Sequence, residues 1–361
     1  MTSRRSFLGG LLATGLCPRP SWADAGSPAC LSAAQIPDGS YRLAGLSGDG
    51  DIIFTLPLPG RGHAAAAHPT RPEAVGFARR PGTFAFVLNC VSGQATTQLT
   101  APTGRHFYGH GTYFADGTLL FTTENDFEAG AGVIGVWDVT QGYGRIGEFS
   151  SGGIGPHDIK LMPGGGGLVI ANGGIETHPD MGRSKLNLAT MRPNLSYVST
   201  TGTILEQVEL PQDQHRNSIR HLATGADGLV AFGMQWQGDT AQNPALLGLH
   251  RPGEKVRLLR ADAREHRRLQ GYVGSVAMSA DGTQLAATSP RGGIVQVFDI
   301  ASGAPSGTHE MPDVCGLSTG RAQFLFTSGT GAVGTIDHEA PRVLARPDCA
   351  WDNHLVDIAP G

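Results

Sequence analysis

The sequence predicts an all-β chain: a seven-bladed β-propeller closed by N- and C-terminal strands in one blade. Three observations predict it. A cassette of short apolar strands recurs at intervals of ~40–50 residues, the spacing of propeller blades. Glycine makes up 53 of 361 residues and charged residues only 16%, a turn-rich and weakly helical composition. Strand-like segments at the two chain ends complete one another, so the ring closes without an exposed edge.

The chain opens Ser3-Arg4-Arg5-Ser6-Phe7-Leu8, followed by an apolar, glycine-containing run over residues 9–16. Paired arginines ahead of Phe-Leu and a short apolar stretch have the form of a twin-arginine export signal. Ala23-Asp24-Ala25 supplies a small-x-small cleavage pattern. Residues 1–25 are therefore expected to be a signal peptide, and 26–361 a single propeller domain in the periplasm. Cys17 follows Leu16 where lipoprotein processing needs a small residue, so no lipid anchor is expected. Past residue 25 no apolar run approaches the ~20 residues needed to cross a bilayer. The formal charge of −4 and pI near 6.3 give no basic excess, which argues against a nucleic-acid partner.

The clearest cassette runs Ser275-Val276-Ala277-Met278, the turn Asp281-Gly282, then strands over 285–289 and 294–299. A second has Asp116-Gly117, 119–123 and 133–138; a third has Asp227-Gly228, 229–234 and 246–250. Others begin near His63, His157 and Cys315. The third strands end alike, in Leu88-Asn89, Trp137-Asp138, Phe298-Asp299 and Ile336-Asp337. Alternating apolar and small residues bounded by Gly or Pro mark these segments as strands. The seventh blade is expected to be split. Residues 354–358 form its inner strand and 41–46 and 51–56 two outer ones, with no clear candidate for its second strand. Four cysteines follow the signal segment: Cys30, Cys90, Cys315 and Cys349. Their spacings match no zinc motif. Cys30 and Cys349 lie near chain ends that a propeller brings together, so they are the expected disulfide pair in an exported chain.

One residue type recurs at the blade entrances, six or seven residues before the Asp-Gly-type turn. The series is His63, His110, His157, His221, Ser275, Cys315 and His354. Two such positions in each of seven blades, in a chain with 13 histidines among 361 residues, would hold about 0.5 histidine by chance; five are present. In a propeller these entrances ring the mouth of the central channel. Imidazole suits Cu, Fe, Zn and Ni, and thiolate suits Cu and Zn, so the series is read as a transition-metal site, with iron or copper in view. His63 and His157 sit one residue out of register with the rest. Within a strand that offset would turn a side chain to the other face.

The loops between second and third strands emerge on the same face. With the entrance loops they gather His106, Glu124, Asp126, Glu176, His178, Asp180, Arg220, Arg291 and Asp352 around the histidines. Loops on a rigid scaffold are where binding and catalysis concentrate. An insertion in the third blade, reaching Met191-Arg192-Pro193-Asn194, accounts for the long interval between His157 and His221.

At these motifs the sequence resembles the bacterial DUF1513 family. The matching stretches include Arg105-His106-Phe107-Tyr108-Gly109-His110-Gly111, Thr123-Glu124-Asn125-Asp126, Gly155-Pro156-His157, Ser218-Ile219-Arg220-His221, Asp313-Val314-Cys315-Gly316 and Trp351-Asp352-Asn353-His354. The resemblance covers nearly the whole mature chain. It implies an exported propeller encoded beside imelysin-type and di-haem peroxidase-like proteins in iron-acquisition settings, and hence periplasmic iron handling with such a protein as partner. It carries no assigned catalytic residue.

Three functions fit the sequence. One is a metal-binding protein of iron uptake. Another is a propeller enzyme, either a lactonase-type hydrolase using His with Glu or Asp as base and acid, or a redox partner of a haem protein. The third is a non-enzymatic docking platform for an imelysin-type partner. The chain has no Gly-x-Ser-x-Gly nucleophile elbow and no Cys-x-x-Cys-His haem attachment site.

Overall fold

A computed structural model describes residues 20–79, 82–320, 323–336 and 340–358. The twin-arginine motif and its apolar run lie outside the described residues, as does Asp337. Seven four-stranded antiparallel sheets are formed among the described residues. Both chain ends build the closing blade. Its N-terminal strands are β1 (Cys30–Gln35), β2 (Tyr41–Leu46) and β3 (Ile52–Leu58). The next blades are β4 (Gly62–Ala67), β5 (Glu73–Ala78), β6 (Phe84–Asn89), β7 (Gln94–Thr100), and β8 (Arg105–Tyr113), β9 (Leu119–Asp126), β10 (Ala131–Asp138), β11 (Gly144–Ser150). Then come β12 (Pro156–Leu161), β13 (Leu168–Asn172), β14 (Asn194–Val198), β15 (Ile204–Glu209), and β16 (Asn217–Thr224), β17 (Val230–Trp236), β18 (Leu247–His250), β19 (Arg257–Leu259). The last are β20 (Ser275–Met278), β21 (Gln284–Ser289), β22 (Ile294–Asp299), β23 (Pro305–Glu310), and β24 (Val314–Ser318), β25 (Phe324–Ser328), β26 (Val333–Ile336), β27 (Pro341–Ala345), followed by β28 (Ala350–Asp357). The first strand in the chain is innermost in six blades and β28 is innermost in the closing blade; each packs on the next around the axis until β28 meets β4.

The repeated polar residues set the turns. Asp116, Asp227 and Asp281 each accept the backbone N–H two residues on, from Thr118, Leu229 and Thr283, at 2.8, 3.1 and 3.0 Å. The glycine after each takes a left-handed φ, +73° at Gly117, +82° at Gly228 and +70° at Gly282, which a side chain would oppose. The polar residues that end the third strands do the same for the next turn. Asn89 accepts from Ser92, Asp138 from Thr140 and Asp299 from Ser302, at 2.8, 2.8 and 2.7 Å. Between these turns the inner three strands bury their side chains between neighbouring blades. Phe77, Phe107 and Trp137 share one such seam and Phe298, Leu285 and Val276 another. The fourth strands are largely exposed, as in β11 and β15.

The closing blade has the order β28-β1-β2-β3. Its missing second strand is β1, Cys-Leu-Ser-Ala-Ala-Gln, paired with β28 on one side and β2 on the other. Its first five residues are all buried, so no polar alternation betrays it, and three of the six are Ser or Ala. The expected Cys30–Cys349 disulfide is not formed; both thiols are free. The antiparallel register explains why. Cys30 faces Asp357 at one end of the β1–β28 pair, whereas Cys349 adjoins Ala350, which faces Gln35 at the other. Five residues of strand separate them, roughly 17 Å, against a Cα limit of about 7 Å for a disulfide.

The segment just after the N-terminal apolar run is packed. Trp22, in a short 3-10 turn (Trp22–Ala25), is buried with Leu31, Leu43 and Leu56 of the closing blade and Ala65, Ala74 and Leu88 of the next. Its indole N–H donates to the His68 carbonyl at 2.9 Å. Of the expected cleavage pattern Ala23-Asp24-Ala25, Ala25 is thus buried in the seam while Ala23 and Asp24 are exposed. A chain starting at Gly26 is expected to unfold at lower urea than one retaining Trp22, by about 2 kcal/mol from the lost indole burial. Equal midpoints and slopes would show that the seam does not depend on Trp22.

Candidate metal centre

The histidines belong to the inner strands themselves rather than to the loops before them: His63 to β4, His110 to β8, His157 to β12, His221 to β16 and His354 to β28. In each of these strands the pairing with the second strand shifts register around the histidine. The shift falls between Gly62 and Ala65, Phe107 and Gly111, Pro156 and Asp158, Ile219 and His221, and between Trp351 and Leu355 opposite Ala34 and Ser32. A bulge sets extra residues against the partner strand and re-aims a side chain. This resolves the one-residue offset of His63 and His157: the bulges absorb it, and all five rings converge on the axis. Pairing between β20 and β21 has no such shift, and that blade carries Ser275.

Ring centroids lie 4.6 Å apart for His110–His354, 4.7 Å for His63–His354, and 5.0 Å for His63–His110, His110–His157 and His157–His221. His221 and His354 close the group at 5.1 Å. One ligand atom each from His63, His110 and His157 lies within 4.8 Å of the others. Outer partners fix two rings. His157 Nδ1 lies 3.0 Å from the Arg220 carbonyl, which only accepts, so Nδ1 carries the proton and Nε2 keeps a lone pair. His110 Nδ1 sits 3.2 Å from the Asp158 carboxylate, which leaves Nε2 as its lone-pair atom. Among the described residues, no hydrogen-bond partner meets His63 Nδ1, His110 Nε2, His354 Nε2 or either nitrogen of His221. A buried polar atom left unpaired costs ~1–3 kcal/mol. An ion shared by these lone pairs would satisfy several of them at once, so the residues fit a metal.

Burial pushes the His63, His157 and His354 imidazoles well below their usual range, and neighbouring imidazoles and the Arg79 and Arg220 guanidinium groups add to it. Burial likewise brings His221 down to about 3, opposed by Asp158. At neutral pH these rings are free bases, the ligating form. Asp158 stays ionised: burial alone would raise it, but Lys160 and His110 together hold it well below the carboxylate range. Its second oxygen accepts the Leu222 N–H at 3.0 Å, which ties β12 to β16 behind the cluster. Asp158 was not singled out from the sequence. The signal was present, a carboxylate directly after a series histidine, with Lys160 two residues on in the same strand.

The other expected residues divide. Cys315 is buried on the inner strand β24, and its thiol lies 3.3–3.7 Å from the carbonyls of Thr327, Trp351 and Asp352. Burial pushes that thiol up to about 12, against the thiolate a metal needs. Glu124 is fully buried and accepts both Arg145 guanidinium nitrogens, at 2.6 and 3.0 Å, and the Thr122 hydroxyl. Asp126 faces Arg105 at 3.4 Å. These carboxylates tie strands within one blade and are not free for acid–base work. His106 is held by the Phe107 carbonyl and Asn125. His178 caps the turn Pro179–Met181 by accepting from the N–H of Asp180, whose own side chain is exposed. The Glu176 backbone N–H donates to Asn187 Oδ1 at 2.8 Å. Asp352 accepts from Arg61 at 2.6 Å and lies 3.6 Å from Arg79. Arg220 and Arg291 line a cavity directly over the cluster.

A cavity opens on each side of the histidines. Below is the central channel, about 400 Å³, lined by Ala64–Ala67 and reaching Asp158, Lys160 and Asp357. Above is a smaller chamber, about 280 Å³, floored by His63, His157 and His221. The arrangement defines a class: a seven-bladed propeller whose inner strands carry a buried histidine cluster fit for a metal ion. The family model described as "Protein of unknown function (DUF1513)" matches residues 56–358, and the chain belongs to that family. Among solved structures the chain is similar to Kuenenia stuttgartiensis hydrazine synthase, at 13% identity and a TM-score of 0.60, over 82% of this chain and 89% of that one. That likeness is one of fold. The comparison with curated proteins found no significant match.

Gly109 holds the β8 bulge at φ +101°, and a Cβ there would stand 2.5 Å from His63 Cδ2. Gly109→Ala is expected to cost about 1–2 kcal/mol in urea unfolding and to displace the His63 ring resonances in NMR. Gly142→Ala, also at positive φ but facing open space, should leave them in place. If both variants leave His63 unmoved, the bulge does not position it. The lowered imidazoles also fix the sign of a pH effect. The unfolded chain binds protons below about pH 6.5 that the folded chain refuses. Stability of the metal-free protein is therefore full above that pH and falls as pH drops toward 3, with a slope up to ~1.4 kcal/mol per unit for each lowered histidine. His221→Gln should flatten this slope in denaturation series between pH 7 and 5; an unchanged slope would refute the assignment.

Proposed function

We propose that this chain is an exported periplasmic protein that holds a transition-metal ion, iron or copper, in its histidine cluster and takes part in iron acquisition. The observation that carries the metal reading is the convergence of five buried imidazoles, four of which, His63, His110, His221 and His354, have ring nitrogens without a hydrogen-bond partner among the described residues. Imidazole ligands backed by a carboxylate and a backbone carbonyl suit first-row ions of intermediate softness. Carboxylates stay outside the inner ligand set and the Cys315 thiol turns to carbonyls, which favours an all-imidazole sphere. The twin-arginine signal supports the reading independently, since that route exports folded chains and allows a metal to be loaded first. The iron-acquisition setting rests on the family resemblance, and with it the partner, an imelysin-type or di-haem peroxidase-like periplasmic protein.

Protein recovered from the periplasm under its own signal should carry about one equivalent of iron or copper by elemental analysis. Replacing His63, His110 and His157 together with Ala should lower metal content at least tenfold while far-UV circular dichroism is retained. Substoichiometric metal in the native protein, zinc alone, or full loading of the triple variant would overturn the proposal.

A further inference from the structure

The chamber above the histidines differs from the rest of this acidic chain. Five cationic side chains line it, Arg79, Arg183, Lys185, Arg220 and Arg291, with no carboxylate among the lining residues, although the chain as a whole carries −4. They come from four blades. Arg79 follows β5, Arg183 and Lys185 lie in the long connection between β13 and β14, Arg220 is in β16, and Arg291 turns between β21 and β22. Asp352 stands 3.6 Å from Arg79 and offsets part of that charge. Lys185 donates to Gln237 at 2.5 Å, and Arg291 lies over the Tyr272 ring at 4.4 Å, so two of the cations are held in place at the rim. Trp236 and Tyr272 supply flat apolar wall between the charges. The floor is unlike an ordinary cationic groove. His63 and His221 are buried there with nitrogens that have no hydrogen-bond partner.

We propose that this chamber binds a small organic polycarboxylate, with its carboxylates on the cations of separate blades and its carbon skeleton against Trp236 and Tyr272. A single oxyanion would engage one or two of the cations. Charges distributed around a cavity of about 280 Å³ match an anion with two or three carboxylates, and guanidinium groups bind carboxylate in bidentate fashion. The position also places one carboxylate arm next to the imidazole cluster, where it can complete the coordination of an ion held there. The anion site stands on its own lining residues and does not require the metal reading.

Calorimetric titration of the protein as purified tests it, using propane-1,2,3-tricarboxylate, succinate, acetate and inorganic phosphate at matched ionic strength. Tricarboxylate is expected to bind at least tenfold more tightly than acetate or phosphate, and to weaken as salt rises. Arg183→Gln with Arg291→Gln, both on exposed side chains, should weaken it at least tenfold and leave metal content unchanged. No saturable binding, phosphate as tight as tricarboxylate, or an unaffected double variant would overturn the proposal. Metal content on the same samples separates the readings. Metal without tricarboxylate binding removes only the anion site, and tricarboxylate binding without metal removes only the metal centre.

Discussion

Ring closure through the β1–β28 pair is the constraint on which the rest depends. His63 and His354 are separated by almost the whole propeller sequence, yet their rings lie 4.7 Å apart. That contact exists because β28 completes the blade begun by β1 and thereby becomes the inner strand next to β4. The Ser32 hydroxyl reinforces the join by donating to the His354 carbonyl at 2.9 Å. Trp22 seals the neighbouring seam. Closure also removes the sheet edges that an open array would expose, so the same pairing that stabilises the fold assembles the cluster.

The cluster is built against the preferences of a regular sheet. A straight inner strand would alternate its side chains between the two neighbouring blade seams. The bulges break that alternation where a histidine stands, and the chain accepts lost ladder bonds and special backbone, Gly109 at φ +101° among them. Burying five imidazoles, four of them with unmet nitrogens, adds further cost. Asp158 and the Arg220 carbonyl offset part of it by fixing His110 and His157. Five unmet imidazole nitrogens gathered at one point of the propeller are what a site built for binding rather than for stability presents. The remaining sector, with Ser275 and the carbonyl-bound Cys315, carries no imidazole and leaves the cluster lopsided about the axis.

The two cavities give the cluster two different environments. The channel side is lined mainly by small residues, Ala64–Ala67 among them, with Asp158 and Lys160 as a local ion pair at 3.7 Å. The chamber side is cationic and aromatic, and Arg79 and Arg220 help to lower the imidazoles beneath it. A cationic mouth opposes protonation of the histidines and attracts anions, which makes a bound cation there most stable when an anion accompanies it. The metal and anion assignments are thus electrostatically complementary, though each rests on its own residues.

Much of this was legible in the chain. The Asp-Gly turns, the polar ends of the third strands and the recurring histidines are local signals, because each turn is closed by a side chain bonding its own neighbours and each blade repeats the pattern. The family resemblance, carried by the stretches around His110, His157 and His221, agreed with the fold. Other features were not local. β1 has no alternation, since both of its faces are buried, and only its partners reveal it as a strand. Cys30 and Cys349 are close in topology but distant in register, which sequence position does not encode. Glu124 and Asp126 looked like site carboxylates until Arg145 and Arg105 were seen to bind them. Arg79, the Arg183–Lys185 pair, Arg220 and Arg291 lie in unrelated stretches of sequence. The histidine series itself was written in the sequence, whereas its convergence into one cluster was decided by tertiary structure, because bulges and closure set the direction of a side chain and a repeat sets only its position.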